Sequence, residues 1–137
     1  MKTRIYIDTS VIGGYYDEEF KEATRALFAR LENQEIIFII SDILDLELTD
    51  APPRVRELLS KFPTAKYEFV SITKEVQKLA DSYIHEKVVG KTSIEDCRHI
   101  AMATVCKADV LASWNFKHIV NLDRIRGYNY MSGRWIK

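Results

Sequence analysis

The sequence predicts an α/β fold in which helices cover both faces of a mostly parallel sheet. Short apolar segments that favour strands alternate along the chain with segments whose apolar residues recur at helical spacing. Residues 36–40 are apolar throughout and rich in β-branched side chains, which is typical of a parallel strand buried on both faces. At 137 residues the chain fits one domain, and no internal repeat or flexible linker divides it.

The first half of the chain predicts two strands and three helices. Residues 5–8 form a short apolar strand, and residues 18–33 carry an apolar stripe at helical spacing. The strand at residues 36–40 leads into a capped helix at residues 41–50, which two prolines stop. Residues 55–62 are a further short helix that ends at the next proline.

The second half repeats the alternation. Residues 67–70 predict a third strand, followed by a capped helix at residues 73–90 that stops near a glycine. A helix at residues 93–105 precedes a fourth strand at residues 109–113. The last predicted elements are a short helix at residues 116–122 and a hairpin or final strand at residues 128–136.

The formal net charge is zero, but the charge is unevenly distributed. Residues 98–137 carry seven Lys and Arg against two acids, whereas residues 1–97 carry 13 against 18. An acidic N-terminal part and a basic C-terminal part suit a polyanionic substrate. On charge alone, a solvated basic surface is an equal alternative.

Nothing in the sequence predicts export or membrane insertion. No apolar run approaches the ~18 residues of a membrane span, and residues 1–4 lead into a strand without the apolar segment of a signal peptide. Cys97 and Cys106, nine residues apart on a predicted helix, lie roughly 13 Å apart, which is too far for a disulfide. We therefore expect a soluble, cytoplasmic protein with reduced thiols and no membrane partner.

Four polar side chains lie at or just beyond the functional ends of predicted elements. Asp8 ends the first strand, Glu47 lies just over one helical turn beyond the second, and Asn115 directly follows the fourth. Asp96 lies in the first turn of a later helix. Because right-handed crossovers bring the carboxyl ends of parallel strands to one edge of a sheet, we expect these four residues to converge there.

Three carboxylates at one place repel one another, which raises their pKa values unless a cation is present. Mg²⁺ is the natural occupant, because it takes oxygen ligands and is held by one or two carboxylates together with waters. A water made more acidic by the ion can attack a phosphodiester, and the ion screens the charge that develops on the phosphate. The acids therefore favour metal-assisted phosphodiester hydrolysis.

Each of the four residues also has a purely structural interpretation. Asp8 can cap the next helix, and Glu47 can be a solvated helix residue. Asp96 can be an acid favoured by the helix dipole, and Asn115 can be a turn residue. The order and context of all four together favour the functional interpretation.

Taken together, these motifs resemble the PIN-domain ribonucleases, and within them the VapC-type toxins of toxin–antitoxin pairs. Residues 8–11, Asp-Thr-Ser-Val, are similar to the family's opening motif, and Glu47 matches its second acid. Residues 96–103 match the third acid and its helix, and residues 113–119 match the segment where many members carry Thr-x-Asp followed by Phe. The resemblance covers nearly the whole chain.

The resemblance implies a single PIN-like nuclease domain over residues 1–137, with a three-layer α/β/α fold and a central, mostly parallel sheet. It also implies RNA cleavage dependent on Mg²⁺ or Mn²⁺, a homodimer and a cognate antitoxin. Asn115 departs from the family, since many relatives have a fourth Asp there. An amide accepts from a metal-bound water but brings no charge, so we expect lower metal affinity or a lower rate rather than inactivation.

The leading hypothesis is a metal-dependent endoribonuclease that acts by in-line attack of activated water on phosphorus. Asp8 and Asp96 are the expected main metal ligands. Glu47 is expected to bind the metal directly or through water and to help activate the nucleophile, and Asn115 is expected to hold a metal-bound water. The rival hypothesis is a non-catalytic PIN module that binds RNA or a protein. A phosphatase with an Asp8 nucleophile is disfavoured, because position 10 holds Ser rather than a second Asp.

Several neighbouring residues are candidates for supporting roles. Thr9 and Ser10 can hydrogen-bond a carboxylate or a metal-bound water, or cap the turn. Arg98 and Lys117 are candidates for phosphate contacts, with solvated roles as the alternative. His99 can touch RNA, orient Asp96 or pack within the helix layer. Trp114 can stack on a base or pack in the core.

Overall fold

The computed structural model describes residues 2–85 and 94–115 in full, and the backbone of two short strands beyond them. The elements in chain order are β1 (Thr3–Ile7), α1 (Thr9–Gly14), α2 (Lys21–Glu32), β2 (Ile36–Ser41), α3 (Asp42–Leu48), α4 (Pro53–Arg56), a 3-10 helix (Leu58–Lys61), β3 (Tyr67–Val70), α5 (Lys74–His85), α6 (Ile94–Val105), β4 (Val110–Ala112), β5 (Asn129–Met131) and β6 (Trp135–Ile136).

One six-stranded sheet runs through the molecule in the order β3-β2-β1-β4-β5-β6. The first five strands of this order pair in parallel, and only β6 is antiparallel to its neighbour β5. The predicted mostly parallel sheet and the C-terminal hairpin are therefore confirmed. The helix predicted at residues 116–122 lies outside the described residues.

Helices cover both faces of the sheet, which confirms the predicted three layers. In β2, Phe38 and Ile40 belong to the core on one face, with residues of α1 and α2, whereas Ile39 belongs to the core on the other face, with residues of α5 and α6. Successive side chains of a strand point to opposite faces, so a strand buried on both sides must be apolar at every position. This requirement explains the uninterrupted apolar run.

Two segments differ from the prediction. Residues 9–14 form the short helix α1 directly after β1. The sequence predicts a capping role for Asp8 as one alternative, but it predicts no helix at these residues. The helix predicted at 55–62 is instead divided into α4 and a 3-10 turn. Pro63 disfavours helical backbone at the residue before it, so the chain ends this segment in the tighter geometry common at helix termini.

Within the described part of the chain, no helix combines the length and the apolar character needed to cross a bilayer. Cys97 and Cys106 are both free thiols, as the sequence predicted.

Arg4 connects the two halves of the sheet. We expect replacement of Arg4 by lysine to lower the free energy of unfolding by about 1 kcal/mol. Its guanidinium donates to both carboxylate oxygens of Glu68 on β3 and to the carbonyl oxygens of Cys106 and Lys107, which lead into β4. A lysine ammonium cannot reproduce this planar fork. Urea unfolding measures the change. Arg30→Lys, at an exposed position of α2, is the matched control and should stay within about 0.5 kcal/mol of the wild type. Equal losses in the two variants would contradict the role of Arg4.

Candidate active site

The site begins at the carboxyl ends of two adjacent strands. In the parallel pairing of β1 with β4, Ile7 lies opposite Ala112, so Asp8 and Ser113 leave the sheet side by side. The Ser113 hydroxyl donates to Asp8 Oδ2 at 2.5 Å, and both residues are buried. The strand order, which the sequence alone does not reveal, therefore brings residue 113 into the site.

Asp8 also begins α1, so its predicted capping role is correct. Its Oδ1 accepts from the backbone N–H of Ser10 at 3.1 Å and from the Ser10 hydroxyl at 2.5 Å. Burial raises the pKa of the Asp8 carboxyl above its usual value, against the opposing effects of nearby His99 and of the Ser10 and Ser113 hydroxyls. Capping does not exclude a functional role. An exposed acid would cap the helix equally well, whereas burying the Asp8 carboxylate at the sheet edge has a free-energy cost that capping alone does not require.

Glu47 projects from the last turn of α3 toward α1 and α6. Its Oε1 accepts from the Thr9 hydroxyl at 2.5 Å and lies 2.8 Å from His99 Nε2. Burial acts to raise the pKa of Glu47, but the hydrogen bonds from His99 and Thr9 outweigh it, and the pKa lies below its usual range. Glu47 is therefore a held, ionised carboxylate rather than a freely solvated helix residue, and Thr9 and Ser10 each bond a carboxylate, as expected.

Of the remaining predicted residues, the structure describes Asp96 and Arg98 on α6 and Asn115 just after β4. Asp96 is half-buried in the first turn of α6, one turn before His99. Asn115 is exposed just after β4, and its backbone N–H donates to Ser113 Oγ at 3.1 Å. Arg98 forms an ion pair with Glu95 at 3.0 Å. Lys117 lies outside the described residues, so its predicted phosphate contact stays a prediction.

Three polar residues of this region were not predicted as members of the site: Ser113, Tyr6 and Ser41. The Tyr6 hydroxyl lies 2.6 Å from His99 Nδ1 and 3.0 Å from Ser41 Oγ. A signal for Tyr6 was present, since a tyrosine in an otherwise apolar buried strand needs a hydrogen-bond partner for its hydroxyl. Of the three alternatives given for His99, the structure supports packing, since the side chain is buried, and it also places His99 Nε2 within hydrogen-bond distance of Glu47.

Trp114 packs in the core rather than lying free to stack on a base. Its ring stacks on Phe20 at a centroid distance of 5.5 Å, and its indole N–H donates to the Thr24 hydroxyl at 3.0 Å. The side chain is 3% exposed. These contacts attach the end of β4 to α2 and so help to position Ser113 and Asn115.

The described residues hold no group of three or more His, Cys, Asp or Glu that could bind a metal ion. The oxygen ligands of Asp8 and Glu47 nevertheless have the chemistry that a hard divalent cation requires. An ionised carboxylate offers about four acceptor positions. Asp8 uses three of them, and Glu47 Oε2 accepts no hydrogen bond from any described residue. Mg²⁺ needs only one or two carboxylates with waters, so Asp8 and Glu47 fit Mg²⁺ or Mn²⁺.

A cavity of about 680 Å³ opens beside Glu47, between α3, α5 and α6. Its charged lining consists of four acids and one base: Asp42, Glu47, Asp50, Glu95 and Arg98. The lining therefore repels a phosphate group unless a cation compensates the negative charge.

No family model matches the sequence, and no curated protein matches it. Solved structures do match. The toxin–antitoxin complex from Klebsiella pneumoniae has a chain that matches with a TM-score of 0.62 and 16% identity, over 96% of this chain and 99% of that one. VapBC2 from Rickettsia felis, solved with a DNA fragment from its promoter, matches with a TM-score of 0.63 and 13% identity, over 98% and 100% of the two chains.

A third match is VapC20 from Mycobacterium tuberculosis, described as a toxin that cleaves the sarcin–ricin loop. Its TM-score is 0.60 at 12% identity, over 78% of this chain and 86% of that one. The chain thus shares the fold of VapC-type toxins, which confirms the three-layer fold that the resemblance to PIN-domain ribonucleases implied.

Proposed function

We propose that this protein is a metal-dependent endoribonuclease that hydrolyses RNA phosphodiester bonds as the toxin of a toxin–antitoxin pair. The observation that carries the proposal is the Asp8 carboxylate, buried at the carboxyl edge of the sheet and held by Ser10 and Ser113 beside the hydrogen-bonded Glu47. The fold shared with VapC20, described as a toxin that cleaves the sarcin–ricin loop, supports the same conclusion.

In this proposal Asp8 and Asp96 are the main ligands of a Mg²⁺ or Mn²⁺ ion, and Glu47 binds it directly or through water. The ion would acidify a water and screen charge on the phosphate. Glu47 Oε2 lies on the side of the carboxylate that Thr9 and His99 leave free, so it can accept a proton from the attacking water. Asn115 holds a further water through its amide.

The acidic lining of the cavity supports the requirement for a cation. RNA phosphates approaching Glu47 also meet Glu95, which pairs with Arg98, the one cation that the described residues contribute to the lining. A divalent ion would offset two of these negative charges and give the phosphate oxygens a cation to bind. Arg98 and Lys117 then contact the phosphate backbone.

Partners follow from the same proposal. The structures that share the fold include toxin–antitoxin complexes, which supports a cognate antitoxin for this chain. The proposed homodimer and cytoplasmic location rest on the resemblance to VapC-type toxins. A toxin that cleaves RNA needs an inhibitor bound until it acts, and this inhibitor is the antitoxin. A rival candidate is a non-catalytic PIN module, for which the neutral Asn115 is the favouring observation.

Incubation of the purified protein with a mixed RNA pool tests the function. We expect cleavage with Mn²⁺ or Mg²⁺ and none with EDTA, because the acidic site cannot attract phosphate without a cation. Product analysis by gel and end-mapping measures the reaction. Ca²⁺ is a useful control, since it binds oxygen ligands with looser geometry and should support less cleavage. Binding of RNA and metal without cleavage would contradict the enzyme and favour the non-catalytic module, in which case Asn115→Asp is the next variant to test.

A further inference from the structure

We propose that His99 is a positioning residue that holds Glu47 in one orientation, with one carboxylate oxygen hydrogen-bonded inside the protein and the other left for a metal ion or a water. The catalytic consequence of this role rests on the proposed function, whereas the contact itself does not. His99 does not touch substrate in this proposal and acts only through Glu47.

A chain of hydrogen bonds carries the proposal. His99 Nε2 lies 2.8 Å from Glu47 Oε1, and His99 Nδ1 lies 2.6 Å from the Tyr6 hydroxyl. Tyr6 in turn lies 3.0 Å from Ser41 Oγ, which accepts the backbone N–H of Leu44 at 3.1 Å. Ser41 caps the start of α3, and Glu47 lies near its end. The series of hydrogen bonds therefore leaves α3 at Glu47, passes through α6 and β1, and returns to α3 at its first turn.

The direction of the critical bond follows from the chemistry of the two groups. An ionised carboxylate only accepts hydrogen bonds, so His99 Nε2 must donate to Glu47. The Tyr6 hydroxyl has a single hydrogen and two neighbours, and it bonds both of them by donating to one and accepting from the other. Both nitrogens of the ring are thus engaged, which fixes its orientation.

Burial makes this arrangement rigid. Tyr6 and Ser41 are 0% exposed and His99 is 2% exposed, so water cannot replace any of the bonds between them. Rotation of the imidazole would leave buried polar atoms unpaired, which is unfavourable because no water can reach them. The ring also packs edge-on against Tyr6, with centroids 5.7 Å apart.

Glu47 needs this support because its own helix holds it weakly. It lies next to the last residue of the seven-residue α3, and its side chain is 30% exposed at the cavity. A glutamate there loses rotamer freedom only if partners hold it. Thr9 and His99 bond the same oxygen from two elements, α1 and α6, and so leave Oε2 as the oxygen available for a metal ion or a water.

Two substitutions at position 99 separate positioning from packing. His99→Gln keeps an N–H donor near the position of Nε2, whereas His99→Leu keeps the bulk and removes the donor. We expect His99→Leu to lower kcat for metal-dependent RNA cleavage about 10- to 100-fold, with a smaller change in KM, and His99→Gln to restore most of the loss. Thermal unfolding of both variants separates these effects from misfolding. His85→Leu, at the exposed end of α5, is the matched control and should leave kcat unchanged.

A second measurement does not depend on catalysis. We expect a long-range ¹H–¹⁵N spectrum of the histidine rings to show a hydrogen on His99 Nε2, and this signal should shift in Glu47→Gln while the His85 signal stays in place. Calorimetric titration with Mn²⁺ should give about 10- to 100-fold weaker binding to His99→Leu than to the wild type.

The outcomes distinguish the two proposals. Absence of metal-dependent cleavage by the wild type would contradict the proposed function, while the NMR signal would still decide the contact between His99 and Glu47. Wild-type kcat and Mn²⁺ affinity in His99→Leu would overturn the positioning role, and so would a His99 signal that is indifferent to Glu47→Gln. Equal losses in the Gln and Leu variants would also overturn it, because the hydrogen bond would then not be the cause.

Discussion

Asp8→Asn should cleave RNA at least about 100-fold more slowly than the wild type while keeping the fold. Residues that merely orient a metal ligand typically change activity or metal affinity about 10- to 100-fold when they are replaced. Loss of the negative charge of Asp8, a proposed ligand, should therefore slow cleavage more. The fold should persist, because the amide oxygen can still accept from the Ser10 hydroxyl and backbone N–H, and the amide nitrogen can donate to Ser113. A time course of RNA cleavage with Mn²⁺ measures the rate.

The same substitution should raise stability at neutral pH when EDTA is present. Because burial raises the pKa of Asp8 in the folded state, the folded protein loses stability as the pH rises from the unfolded pKa through the folded one. Asparagine cannot ionise and escapes this loss. The stability advantage of Asp8→Asn should therefore be largest at neutral pH, decrease as the pH falls through the raised folded pKa of Asp8, and disappear below about pH 4, near the pKa of an unfolded aspartate.

Urea unfolding at several pH values, together with the cleavage assay, distinguishes a functional acid from a structural cap. A variant that is less stable than the wild type at neutral pH and equally active would mean that Asp8 serves α1 alone. A variant that is inactive and at least as stable would agree with an acid retained for function at a cost in stability.

Gly14→Ala should destabilise the protein by about 1–3 kcal/mol or more, because position 14 has no room for a methyl group. A Cβ there would lie 2.5 Å from Trp114 Nε1 and 2.7 Å from Thr24 Oγ1, so it would enter the hydrogen bond that joins these two side chains. Relief requires displacement of the stacked Trp114 ring and hence of the segment that carries Ser113. Chemical and thermal unfolding measure the loss.

The adjacent glycine provides the control for this prediction. A Cβ at Gly13 would meet nothing within 4 Å, and alanine is the better helix former by roughly 0.5–1 kcal/mol. Gly13→Ala should therefore equal or exceed the wild type in stability. Similar stability changes in the two variants would show that Trp114 does not restrict position 14.

The sequence predicted the sheet well because the signals for its strands are local. The apolar run of β2 indicates burial on both faces, and the capped helix predicted after this strand is α3, with Ser41 as its N-cap. The helix α1 was not predicted, because its six residues include two glycines and are too short for a helical period. Gly14 is explained by its close approach to Trp114, 100 residues away in the chain, and to Thr24, and no local pattern encodes these contacts.

The residues of the site divide in the same way. Asp8, Glu47, Asp96 and Asn115 could be proposed from sequence, because each is a polar residue at or just beyond the end of an element and because the motifs resemble a known family. Their metal-binding and catalytic roles stay predictions. The supporting residues could not be assigned in the same way, since Ser113 is ordinary in its local context and Tyr6 indicates only that its hydroxyl needs a partner, not which partner it has.

The sequence by itself determined the α/β class, the strand segments and the acidic candidates, because periodicity, capping and the polarity of strand ends act over a few residues. Only the tertiary structure decided which groups meet. Ser113 bonds Asp8 across 105 positions, and His99 lies against Glu47 across 52. Such contacts depend on the order β2-β1-β4 and on the packing of α6 over the sheet. The physical reason is that hydrogen bonds between distant segments form only after the buried faces of these elements have packed together.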